Sequence, residues 1–160
     1  MTTTTLEARG TLGRAGFRMM ALIILAVLTA MFAGHEALAS TTLVNAAMKA
    51  ETGLSGCSNN TGKQLYNCVA DVLDRMSGDI GSVNVPETQR ALQTAASRLR
   101  AATGKAQAIS AITQCQSVIA GALRKARAIG GAVVPGWGDS GLSAIVEVLG
   151  HAAKLIQTKG

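Results

Sequence analysis

Three cysteines, Cys57, Cys68 and Cys115, and a single histidine beyond the N-terminal segment, His151, are the side chains here most suited to bond chemistry. Thiolates and an imidazole could hold a metal ion, but only if the ligands converge. Cys57 and Cys68 are eleven positions apart, Cys68 and Cys115 forty-seven, and no C-x-x-C pair occurs. No metal site and no cofactor are assigned. Disulfide chemistry suits these thiols better in an oxidising compartment. Cys68 and Cys115 fall on the apolar stripes of their segments, so the spacing predicts a bond between them. It would close about 48 residues and stabilise by about 4 kcal/mol through loop entropy. Cys57 is the alternative partner for Cys115 or stays free. A Cys57–Cys68 bond is disfavoured, since Cys68 lies nearly two turns inside its helix.

The carboxylates suggest no acid–base pair. Asp71 and Asp74 stand one turn apart on a polar helix face. The spacing predicts a modest surface pair between Asp71 and Arg75, and another between Glu147 and His151. Gly138-Asp139-Ser140-Gly141 has the spelling of the nucleophile motif of trypsin-like serine proteases. That chemistry needs a histidine base and an orienting aspartate held by two β-barrels, and the only nearby histidine, His151, lies downstream. Asp139 or Ser140 as N-cap of a last helix accounts for the tetrapeptide. The run Gly131 to Gly136 has the glycine spacing of a phosphate-binding loop. Trp137 and Gly138 then stand where lysine and serine or threonine are required. Asn59-Asn60-Thr61 spells a glycosylation sequon, which matters only in a eukaryote. No catalytic residue is assigned, and enzymatic activity is not expected.

Helical periodicity supplies the framework. Leu43, Val44, Ala47 and Met48 predict a short helix over Thr41–Glu51, followed by a loop from Gly53 to Asn60. Leu65, Cys68, Val69, Val72, Leu73 and Met76 form one stripe of a 3.6-residue helix over Thr61–Met76. Thr61 and Gln64 match a capping box at its start. Pro86 opens the next helix, where its missing N–H is no loss, with Glu87 favourable at the positive helix end. Gly104 could give a left-handed cap between that helix and a fourth over Lys105–Ile129, making a tight antiparallel hairpin. A glycine-rich connection spans residues 130–141, and Leu142, Ile145, Leu149 and Ile156 mark the stripe of a last helix. The class is all-α: four main helices plus a short N-terminal one, in a small bundle.

The address is written at the front. Residues 1–18 carry Arg9, Arg14 and Arg18 against Glu7, and an apolar run follows from Met19 to Gly34. Ala37-Leu38-Ala39 before Ser40 then completes the pattern of a secretory signal peptide, with Ala37, Ala39 and Ser40 at the cleavage site. Such a leader touches the membrane before cleavage. A retained transmembrane helix over 19–34 is the alternative, although the run falls short of the roughly 20 apolar residues a span needs.

Cleavage leaves residues 40–160 as a single domain of 121 residues, enough for one core. With only 2% aromatic residues in the whole chain, that core must be built from close-packed aliphatic helices. The Ala-, Gly- and Arg-rich composition suits a GC-rich bacterium, and the export signal a periplasmic or secreted location. The formal net charge is +6. Arg124, Lys125 and Arg127 cluster near the end of the fourth helix, with Arg98, Arg100 and Lys105 near the preceding hairpin. A helix C-terminus favours such cations without any partner. An anionic envelope surface is the ligand open to them, and nucleic acid is not expected without more charge and interleaved aromatics. The last helix either docks into the bundle or offers Leu142, Ile145, Leu149 and Ile156 to an envelope protein. The expected role is binding or structural.

Overall fold

The computed structural model describes residues 40–130 and 139–160, and they are helical nearly throughout, with no strand among them. Five helices follow in order: α1 (residues 40–57), α2 (Gly62–Asp79), α3 (Pro86–Ala101), α4 (Lys105–Gly130) and α5 (Asp139–Lys159). The leader, its Ala37-Leu38-Ala39 cleavage triplet and residues 131–138 lie outside the described residues.

The first helix is not short. It continues through Gly53, Leu54, Ser55 and Gly56 to Cys57, where a loop was expected. The reason is burial. Leu54 and Cys57 extend the stripe of Leu43, Ala47 and Ala50, all buried. Glycine at position 53 lets α1 approach α2 closely: a Cβ there would stand 2.9 Å from Val72 Cγ2. At the start of α2, Thr61 is the N-cap, but its side chain makes no capping hydrogen bond, so the capping box is not formed. Gly62 instead takes a positive φ of 52°, a conformation glycine reaches without strain.

Antiparallel rungs tie each helix to the next. Lys49 pairs with Asp79 at 3.3 Å, and Cys57 is bonded to Cys68, across α1 and α2. Lys63 donates to the carbonyls of Arg100 and Ala102 at one end of α2 and α3, and Gln89 donates to the Ser77 carbonyl at the other. Glu87 meets Lys125 across α3 and α4, and Lys105 donates to the Gln157 carbonyl across α4 and α5. Pro86 opens α3 with Glu87 in its first turn, as expected. The α3–α4 turn is tight, but Gly104 is not left-handed. Ala102 leaves α3 in an extended conformation, and Gln107 Oε1 accepts the Thr103 N–H at 2.9 Å to start α4.

Helices α2 to α5 thus run up and down, with a slighter contact between α2 and α5. Helix α1 lies along that α2/α5 seam. Its start packs on the start of α5, where a Cβ on Gly141 would fall 2.7 Å from Leu43 Cβ. Further along, Glu51 Oε2 is 2.8 Å from His151 Nδ1, and Lys159 donates to the Ser58 carbonyl. These rungs advance together in sequence, so α1 and α5 are parallel. The interior is aliphatic, filled by Leu65, Leu73, Leu92, Leu99, Ile112 and Ile119, all fully buried, with Tyr66 as the one buried ring among the described residues.

Candidate functional site

The charges fall unevenly over this frame. Residues 86–130, which hold α3 and α4, carry seven basic residues and one acid, Glu87. The other acids of residues 40–160 lie on α1, α2 and α5. Asp71 and Asp74 are held by Arg100, at 2.7 and 2.6 Å, rather than by Arg75. The two carboxylates raise the guanidinium pKa further, so Arg100 is spent on a clamp between α2 and α3. Glu51, not Glu147, takes His151. Of the expected basic cluster, Lys125 is paired with Glu87, and Arg127 also has a partner. Arg124 is exposed and unpaired among the described residues.

Arg90 and Arg98 have no ion-pair partner among the described residues. Both stand beside a groove of about 360 Å³ along the outer side of the α3–α4 hairpin. Its floor is made of small or apolar side chains: Ala91, Ala95, Ala111, Cys115 and Val118. Val118 is 47% exposed, one of two large hydrophobic residues left in water among the described residues. A second groove, of about 430 Å³, continues from Arg98 along Ala101, Ala106 and Ser110. The geometry follows from the sequence. Leu92, Ala96 and Leu99 turn one face of α3 inward, and Ile112 and Ile119 do the same for α4. Ala91 and Ala95 on α3 and Ala111 and Cys115 on α4 line the seam where the two helices meet, and because these side chains are small the seam is left as a valley. Helix α1 covers the α2/α5 seam, and no described residue covers this one.

The structure corrects the cysteine assignment. Cys57 is bonded to Cys68, with a Cα–Cα distance of 5.7 Å, and Cys115 is free and buried. The expected Cys68–Cys115 bond fails because Cys68 turns toward α1, whereas Cys115 turns toward α3. Cys57 reaches Cys68 because α1 extends to it and then reverses at once into α2. Burial pushes the Cys115 thiol up to about 12. The folded state keeps this proton where the unfolded chain, near 9, has lost it. The associated stability is whole below pH 9 and drains as pH rises toward 12, at up to about 1.4 kcal/mol per pH unit. Native protein at pH 8 is expected to resist alkylation, and denatured unreduced protein to take up one label. Comparing alkaline unfolding curves of the native protein and Cys115→Ala isolates this contribution. Rapid native labelling, or identical alkaline curves, would refute it.

Leu142, Ile145, Leu149 and Ile156 are not an exposed interaction surface. All four are buried, between 0 and 6% exposed, because α5 is docked between α4 and α1. Ser40 is the first described residue and is helical. Among the described residues no group of three or more histidines, cysteines or carboxylates is placed to hold a metal ion, and no helix is long and apolar enough to cross a membrane. Sequence reasoning missed Arg90 and Val118, and the groove they border. The available signal was the near-absence of acids from residues 86–130. No protein-family profile matches the chain, and no curated protein or solved structure matches it.

Proposed function

We propose that the chain is exported under the direction of its N-terminal 39 residues and acts in the cell envelope, periplasmic or secreted, as a small binding or structural protein. The observation that carries the reading is the Cys57–Cys68 bond, which ties α1 to α2 and suits an oxidising compartment. The basic leader, apolar run and Ala37-Leu38-Ala39 triplet support the same address. The binding half of the reading rests on the α3–α4 side, where positive charge is concentrated around a groove that the bundle does not fill.

Fractionation of cells making the full chain tests it. Exported protein should begin at Ser40, and the denatured, unreduced chain should show one thiol that becomes three on reduction. Protein found in the cytosol with three free thiols would overturn the reading. A chain beginning at Met1 and sedimenting with membranes would replace it with a subunit anchored through residues 19–34.

A further inference from the structure

We infer that the α3–α4 groove is a docking site for an acidic amphipathic helix of a partner protein. The inference deepens the binding role proposed above and rests on it. Three features of the groove select this occupant. It is concave and lies between two antiparallel helices, so it receives a convex rod; a bilayer would require a protruding apolar crest. Its floor residues Ala91, Ala95 and Ala111 are short, which lets a third helix approach to the 8–10 Å of ordinary helix packing. The half-exposed Val118 offers the partner's apolar stripe an anchor at one end.

Charge complementarity sets the sign. Arg90 and Arg98 stand on one rim, eight residues apart, which is about 12 Å along α3. The one carboxylate that lines the groove, Glu87, is paired with Lys125 at 3.3 Å, and neither arginine has an ion-pair partner among the described residues. The facing rim contributes the neutral Gln114, and α4 contains no acidic residue at all. A helix carrying apolar residues on one stripe, with carboxylates about two turns apart beside it, would cover Val118 and satisfy both guanidinium groups. Helices are recognised in grooves by anchors at this spacing. A cationic helix would meet unbalanced positive charge instead.

The test uses the disulfide-bonded protein and a fluorescent synthetic helix of roughly 18 residues, with leucine on one stripe and glutamate beside it. A twin peptide has lysine in place of glutamate, and phosphatidylglycerol vesicles form a third arm. The glutamate peptide is expected to bind, and the lysine twin at least about tenfold more weakly. Arg90→Glu together with Arg98→Glu, and separately Val118→Asp, should each weaken the glutamate peptide at least about tenfold. These side chains are exposed, so the melting temperature should hold. Arg124→Glu, a cation outside the groove, should change binding less than about twofold. No binding of the glutamate peptide overturns the inference, as does an equal loss with Arg124→Glu, which would mean diffuse attraction to net charge. Vesicle binding abolished by the same two arginine substitutions, with the peptide ignored, would make the site a lipid contact and also overturn it. The envelope reading fails separately, on the location and thiol count of the protein in cells.

Discussion

Replacing Cys57 and Cys68 together by alanine is expected to lower the unfolding free energy by about 3 kcal/mol. The bond joins residues eleven apart, and closing a loop that short restricts the unfolded chain by roughly this much. The site of the bond adds to the effect. Cys57 is fully buried at the last turn of α1, where the chain reverses into α2. Cutting this link frees the end of the helix that covers the α2/α5 seam. Urea unfolding with and without reductant provides the measurement. Reduced native protein should behave like the double variant, and the double variant should ignore reductant. Cys115→Ala should keep full sensitivity to reductant, because its thiol is outside the bond. Loss of that sensitivity in Cys115→Ala would show that the pairing is wrong.

Leu149→Asp should cost more. Leu149 is fully buried in α5, and an unpaired carboxylate placed there costs several kcal/mol beyond the lost apolar burial. Domains of this size are stable by about 5–15 kcal/mol, so the variant should be largely unfolded or melt far below the native protein. Glu147→Ala, on the exposed side of the same helix, should change little. Circular dichroism melting separates the two variants. An unshifted midpoint for Leu149→Asp would mean that α5 comes away from the bundle without cost, contrary to its burial.

How far the residues foretell these results depends on the kind of contact. The stripes of α2 to α5 are legible because each helix buries one face, and the 3.6-residue period records it. Leu65, Val69 and Leu73 on α2, Leu92 and Leu99 on α3, Ile112 on α4 and Leu149 on α5 all lie where their spacing places them. The end of α1 is not legible, because Gly53 and Gly56 look like loop residues locally. Only the closeness of Val72 explains Gly53. The disulfide is obscured for a related reason: a stripe tells which face turns inward but not which neighbour it meets. Cys68 and Cys115 both turn toward helices, yet toward different ones. Ion pairs behave likewise, since the spacing favours Arg75 for Asp71 while Arg100 reaches it from α3. The groove needed both kinds of information. Its positive charge can be counted along residues 86–130, but its concavity exists only once α3 and α4 are side by side.

The parallel pairing of α1 and α5 has a consequence for the placement of Ser40 and Gly160. Five passes are an odd number, so Ser40 and Gly160 stand at opposite poles, separated by the length of α5, about 30 Å for 21 residues. Four passes would have returned the chain to its starting pole. A circular permutant joining Gly160 to Ser40 therefore needs a bridge of about nine extended residues, whereas a direct fusion would pull α1 off its seam. Reporters attached at Ser40 and Gly160 would be held apart by a rigid strut, at a separation fixed by helix length instead of by linker slack.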